Sequence, residues 1–308
     1  MLIAALVAQV DNKFSEFLQF FFLGLGKGAV YATIALALVI IFRVSGMLNF
    51  AQGEMAMVST YVTWGLWTKG LPLVAALILA MVLSFLGGAA IERVVIRPIE
   101  RKARGNPLPV VIATIGLFLA LNGAAPWIWD AEAKQFPYVF GSGSVSIAGA
   151  SISTQTLGTL AVLVVEVALL WLLFQKTKVG LAMRGVASNS QSSALVGVPV
   201  GRMLMLGWGL AAAMGAVAGV LTVSLAFDNS LMAVPLIYAF AAATLGGFDS
   251  PVGAVVGGLT VGVVAELSAA YVGFIGEPLR LLPAFVLILV VLLVRPQGLF
   301  GKAQVSRV

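Results

Sequence analysis

Residues 29–57 read "AVYATIALALVIIFRVSGMLNFAQGEMAM". The first half is a run of apolar side chains. The second places Asn49, Gln52 and Glu54 within six residues, with Gly46 and Gly53 around them. Polar side chains at membrane depth are costly and face a cavity or a neighbouring helix. On a helix, Asn49, Gln52 and Gly53 share one face at i, i+3, i+4 spacing, and Glu54 projects about 100° to the side of Gly53. Gly46 and Gly53 permit a break or a close crossing. A broken helix frees backbone groups that only a protein-lined or watered cavity satisfies. Its positive N-terminal end also suits a solute carboxylate. Two readings follow for this stretch: the lining of a translocation path, or interhelical hydrogen bonds that fix packing.

The rest of the chain sets the frame. Its 308 residues are 61% hydrophobic and only 10% charged, against about 25% charged in soluble domains. Long apolar segments recur throughout, and the alternation of a membrane barrel is absent. The expected fold class is all-α: a polytopic transmembrane bundle of about 8–9 spans, broken or re-entrant near 46–67, forming one permease domain over 1–308. Histidine and cysteine are both missing. This removes the commonest general base and metal ligands, so a metalloenzyme or Ser/His hydrolase is disfavoured and no metal site is expected. The opening "MLIAALVAQV" has no basic leader and no clear cleavage site, and reads as an interfacial or entry segment.

Charge-free windows predict spans at 17–42, 48–67, 71–92, 108–129, 156–175, 205–227, 232–248, 251–271 and 280–295. Twelve of eighteen basic residues fall in three regions. These are 93–107 (Arg93, Arg97, Arg101, Lys102, Arg104), 176–204 (Lys176, Lys178, Arg184, Arg202) and the tail (Arg295, Lys302, Arg307). Basic loops stay cytoplasmic, so these three regions and the C-terminus are assigned to the cytoplasm. The loop 130–155, with Asp130, Glu132 and one Lys134, is assigned outside, and Trp127 and Trp129 mark its membrane edge. If 48–67 crosses, there are nine spans and an external N-terminus; if it dips and returns, there are eight and an internal one. The formal charge of +6 reflects this topology and not a nucleic-acid partner.

The chain resembles the permease subunits of bacterial importers of the ATP-binding-cassette type for branched-chain amino acids and their urea/amide relatives. The resemblance rests on 28–57, "IERVVIRPIE" (91–100), "IATIGL" (112–117), "GLAMRGVASNSQSSALVGVPVGRM" (180–203), "GAVAGVL" (215–221), "LGGFDSPVGAVVGG" (245–258) and "RPQGLFG" (295–301). These occur in order over nearly the whole chain. The resemblance implies a non-catalytic subunit in a bacterial inner membrane. Its implied partners are a second similar permease (heterodimer or homodimer), two cytoplasmic ATPases and an extracytoplasmic solute-binding protein. It also implies an ATPase-contacting helix within 176–204, with Asn189, Ser193, Ala194 and Gly197 at its core and Arg184 leading in.

No Walker-type phosphate loop occurs; "GLGKG" (24–28) lacks the spacing and the hydroxyl residue. No cofactor is therefore expected on this chain, and ATP belongs to the partner subunits. The path candidates are Asn49, Gln52, Glu54, Lys27 and Thr114. Lys27 lies about eleven residues into the first span, where it pairs with Glu54, contacts an anionic solute or snorkels to the interface. Gly116 lines the path or allows close packing. Glu166 and Glu266, also inside spans, are assigned structural roles. "LGGFDSP" reads as a cytoplasmic turn, with Gly246 and Gly247 ending one segment and Pro251 opening the next. The expected cargo is a branched-chain or other amino acid. A urea, amide or small organic acid permease and a self-contained secondary transporter are the alternatives.

Overall fold

The computed structural model describes residues 2–103, 105–275 and 279–301, with side chains from Lys13 onward. Arg104, Lys302 and Arg307, counted above among the basic residues, lie outside the described residues. Helix α1 (Leu2–Ser45) has 44 residues, about 66 Å at ~1.5 Å per residue, more than twice the ~30 Å of a bilayer core. Then come α2 (Gln52–Thr68), α3 (Leu73–Ile91), α4 (Arg97–Ala103) and α5 (Leu108–Trp129). After them follow α6 (Thr154–Lys176), α7 (Lys178–Ser188), α8 (Ser190–Leu195), α9 (Val200–Thr222), α10 (Ala233–Gly246), α11 (Pro251–Tyr271) and α12 (Leu282–Val294).

Six of these segments are long and apolar enough to span a membrane: Lys13–Ser45, Leu73–Ala103, Leu108–Trp129, Thr154–Lys176, Val200–Thr222 and Pro251–Tyr271. Helices α10 and α12 are shorter and apolar. Helix α2 is the polar one. It starts beside Ala211, midway along α9, and ends beside the loop after α5, where Trp64 Nε1 donates to the Gln135 carbonyl. Helix α1 ends on the other side of the bundle, where Arg43 lies near Asp249 of the α10–α11 turn, so residues 46–68 lead from that side to mid-depth and on to the loop after α5. The segment is thus a broken helix that continues across, not one that dips and returns.

The break has a local cause. Gly46 sits at φ +72°, where a Cβ is disfavoured, and closes α1 with its N–H on the Phe42 carbonyl. The Asn49 side-chain oxygen then accepts from Ala51 N at 3.0 Å, turning the chain into α2. A second irregularity follows α3. Pro98 cannot donate to the preceding turn, and a π-helical turn, Glu92–Ile96, precedes α4. There Glu92, buried, pairs with Arg97, which also donates to the Gly201 carbonyl at the start of α9.

Helices α1 and α9 form the centre, most of their apolar length buried, whereas the apolar stretches of Leu73–Ala103, α5 and α6 are mostly unburied. The central seam is α1 on α11. Gly24 and Gly28 face Gly258 and Gly262 so closely that a Cβ on Gly262 would lie 2.4 Å from the Gly24 carbonyl oxygen. Small residues let backbones approach in lipid, where apolarity alone drives no association. The outward faces of α3, α5, α6 and α12 carry exposed Ile78, Leu86, Ile112, Leu119, Val164 and Leu289, as lipid or a partner subunit requires.

The loop 130–155 carries an element the apolar pattern did not announce. Strands β2 (Ser144–Ile147) and β3 (Ala150–Ser153) form an antiparallel hairpin, turned by Ala148 and Gly149, both at positive φ. Strand β1 (Lys134–Gln135) pairs with β4 (Ala226–Phe227), tying this loop to the segment after α9. Asp249, in the α10–α11 turn, and Arg43, Arg97, Arg184 and Arg202 cluster toward the other end. The bundle therefore has a basic end and a hairpin end.

Candidate functional site

The polar stretch at the α1–α2 break divides in two. Asn49 and Gln52 are both fully buried. Asn49 Nδ2 donates to Gln52 Oε1 at 3.3 Å, and Gln52 Nε2 donates to the Ala211 carbonyl at 2.9 Å. Gly215 and Gly219 on α9 make room for this approach: a Cβ on Gly215 would meet Gln52 Nε2 at 3.1 Å, and one on Gly219 would meet Thr60 and the Ala56 carbonyl.

Glu54 points elsewhere, as its helical phase required. Its Oε2 accepts from Asn122 Nδ2 of α5 at 3.2 Å. Asn122 also donates to the Asn229 carbonyl at 3.1 Å and accepts from Asn229 Nδ2 at 3.4 Å. A carboxylate and two amides therefore join α2, α5 and the segment before α10. Next to them, outside the spans, Ser230 N and Oγ donate to Asp228 at 2.8 and 2.6 Å. These bonds hold the Asp228 carboxyl below its ordinary range. Asn122 and Asn229 were not among the sequence candidates. Asn122 was legible, as the one amide inside the apolar run "GLFLALNGAAPW".

Thr114 is buried on α5, and its hydroxyl donates back to the Val111 carbonyl at 2.8 Å. A Cβ at Gly116 would meet no neighbouring helix within 4 Å, so no close helix crossing occurs there among the described residues. Lys27 does not meet Glu54. It pairs with Glu266 of α11 at 2.7 Å, because the glycine seam brings α1 and α11 into register there. Glu166 accepts from Thr33 Oγ1 at 2.7 Å, linking α6 to α1.

At the basic end, α6 folds back into α7 at Thr177, whose side chain caps Gly180 N at 2.9 Å. Asn189 caps α8 through Ser192 N at 2.8 Å. The polar stretch is thus two short helices, not one. Ser193 is buried against Gly185, and Arg184 Nη1 donates to Gln175 Oε1 at 3.1 Å. Gly197, at φ +85°, ends the unit before Pro199 starts α9. Ala194 is exposed, and beside it Leu195 and Val196 are 88% and 80% exposed. Those two neighbours were not singled out from sequence. No group of three or more potential metal ligands occurs among the described residues.

Residues 20–294 match the family model described as branched-chain amino acid transport system / permease component. The high-affinity branched-chain amino acid transport system permease protein LivH of Salmonella typhimurium is 31% identical, over 97% of this chain and all of its own. The corresponding BraD protein of Pseudomonas aeruginosa is 32% identical over 95% of this chain and 98% of its own. A probable branched-chain amino acid transport permease protein, LivH of Methanocaldococcus jannaschii, is 26% identical over 87% of each. With six helices among the described residues long and apolar enough to cross a membrane and this match over most of its length, the chain belongs to the branched-chain amino acid transport permease family, as a multi-pass membrane protein.

Proposed function

We propose that this chain is the non-catalytic membrane subunit of an ATP-driven importer for branched-chain or related amino acids. In this reading it pairs with a second permease, alike or identical. Two ATPase subunits bind and hydrolyse ATP on the cytoplasmic side, and a binding protein delivers solute outside. The basic end faces the cytoplasm, with the C-terminus, and the hairpin end faces out, with the N-terminus. The chain itself needs no cofactor.

The observation that carries the reading is at the tip of α8. A membrane protein has lipid to cover its apolar flanks, but Leu195 and Val196 stand exposed at the polar, basic end, where only another protein covers them. Asn189, Ser193 and Gly197 shape the α7–α8 unit, Arg184 ties it to α6, and Ala194 shares the exposed tip. The segment 176–204 is thereby the coupling loop. The path lies along Glu54 with Asn122 and Asn229, while Asn49, Gln52 and Thr114 shape it from behind.

Ala194→Trp tests this assignment. Position 194 is exposed, so the bulky side chain leaves α7 and α8 folded and blocks their seat on a partner. The assembled complex should lose uptake and solute-stimulated ATP hydrolysis while the chain inserts normally. Normal uptake and normal stimulation in that variant would remove the coupling role.

A further inference from the structure

The stretch 92–102, "ERVVIRPIERK", continues α3 through the π-helical turn into α4, so Leu73–Ala103 is one apolar segment with a charged end. No charged residue occurs between Lys69 and Glu92. From Leu73 to Arg93 is twenty residues, about 30 Å at ~1.5 Å each, the thickness of a bilayer core. Arg93 therefore stands where hydrocarbon gives way to headgroups. Glu92 is buried and paired with Arg97, whereas Arg93, Arg101 and Lys102 are exposed. Four basic side chains against Glu92 and the half-buried Glu100 leave the stretch at a net +2.

Toward the membrane centre from Arg93, the same helix borders a slot of about 150 Å³ between α2, α3 and α5. Val58, Val62, Leu83, Ile91 and Leu121 line it. Its two hydroxyls, Ser59 and Ser84, are bonded to each other at 2.7 Å, so the lining suits hydrocarbon and not a polar solute. An apolar space of this size holds about six carbons. A Cβ on Gly87 would meet no neighbouring helix within 4 Å, so the slot stands open there. Leu83 and Leu86 beside it are 46% and 57% exposed. Ile91, at the near end of the slot, precedes Arg93 by two residues.

We propose that this face binds one anionic phospholipid of the adjoining leaflet, with its phosphate on Arg93, its headgroup beside Arg101 and Lys102, and one acyl chain in the slot. Arginine suits the first contact, since its planar guanidinium offers paired donors to phosphate oxygens. The acyl chain leaves the phosphate toward the membrane centre. In that direction Ile91, Gly87 and Leu83 recur at four-residue spacing along one side of α3. The proposal needs only that the chain crosses a membrane, and it stands apart from the coupling and path assignments.

Three other occupants fit less well. A zwitterionic lipid brings an ammonium to Arg101 and Lys102, a like-charge contact. A soluble phosphate ester has nothing to place in the slot. A helix of another subunit laid across α3 covers Arg93, Arg101 and Lys102, and protein interfaces keep charge out of their core. An anionic lipid meets both features at once, because basic residues at the end of a spanning helix attract negative headgroups while the chain fills the apolar space.

The test uses the full-length chain, with the subunits that co-purify with it, stripped of native lipid in detergent. Phosphatidylglycerol and phosphatidylcholine are titrated against it separately, and bound lipid is counted by native mass spectrometry. Wild type should hold one more phosphatidylglycerol per chain than Arg93→Gln does, with affinity for that lipid falling about ten-fold or more in the variant, as loss of a charged hydrogen-bonding partner implies. Gly87→Leu, which fills the slot, should weaken both lipids and keep the preference between them. Arg93 is exposed and Gly87 faces open space, so both variants keep the fold. Excess glycerophosphoglycerol, the same headgroup without acyl chains, should leave the bound lipid in place. Equal retention of the two lipids by wild type, unchanged retention of phosphatidylglycerol in Arg93→Gln or in Gly87→Leu, or displacement by glycerophosphoglycerol would overturn the site. Loss of a co-purifying subunit from Arg93→Gln with lipid retention intact would overturn it too, and give the face to a protein partner.

Discussion

Gln52→Leu separates anchoring from solute contact at the α1–α2 break. The two side chains are of similar size, so no cavity opens, and the variant removes hydrogen bonds alone. Two are lost: Gln52 Nε2 to the Ala211 carbonyl at 2.9 Å and Asn49 Nδ2 to Gln52 Oε1 at 3.3 Å. Side-chain hydrogen bonds between membrane helices average ~0.6 kcal/mol and reach ~1.7 kcal/mol. The Ala211 carbonyl keeps its place in the α9 ladder, and the Asn49 amide keeps a 3.5 Å contact to Met55 Sδ. Neither partner is wholly orphaned, which puts the cost at about 1–2 kcal/mol. At ~2–4 °C per kcal/mol for a chain of this size class, the melting temperature of the purified complex should fall by about 2–8 °C. Because Gln52 has no exposed surface, leucine uptake per assembled complex should stay within about two-fold of wild type, a difference below ~0.5 kcal/mol. Thermal melting and proteoliposome uptake on one preparation read both quantities. An unchanged melting temperature with uptake abolished would refute the anchoring role and make the amide a solute contact.

Two further outcomes are expected. Gly262→Val drives a side chain into the Gly24 carbonyl and Gly28 backbone, and should destabilise the complex by about 1–3 kcal/mol or prevent assembly. Gly116→Ala, with no other helix among the described residues within 4 Å of the new methyl, should leave the melting temperature unchanged, and the reverse ranking would discredit the α1–α11 seam. For orientation, single cysteines are clean probes because the chain has none. An impermeant thiol reagent should label Ser142→Cys in intact cells but neither Lys102→Cys nor Ser190→Cys, and the opposite pattern would invert the assignment of the two ends.

The parts legible in the sequence are those written in local chemistry. Helices α5 and α11 fall on their predicted bounds because Pro107, Ser250 and Pro251 punctuate them at one end. The resemblance implied a single helix within 176–204, and the division of that stretch into α7 and α8 at Asn189 was not foreseen. The hairpin at 144–153 escaped notice because its positive-φ turn is Ala-Gly and not the Asn-Gly that announces most such turns. The fate of α2 was undecidable for another reason. Its polar start lowers its hydropathy whether it crosses or returns, and the cases are separated by where the chain enters, at Arg43 near Asp249, and where α2 ends, at Gln135.

Side-chain partners were the least legible. In water, an apolar stripe shows which face of a helix is buried. In lipid, the exposed face is as apolar as the core, so Ile78 on α3 and Ile34 on α1 look alike in sequence, although one is exposed and the other is fully buried. What distinguishes the buried helices is small residues. Gly24 and Gly28 recur four apart on α1, as Gly258 and Gly262 do on α11, and in the fold the two pairs meet. The same spacing recurs at Gly215 and Gly219 on α9 and at Gly253 and Gly257 on α11, where it packs against α2 and α10, so it marks close seams without naming their partners. Only in the fold does the α1–α11 seam set Lys27, beside Gly28, opposite Glu266, one turn beyond Gly262.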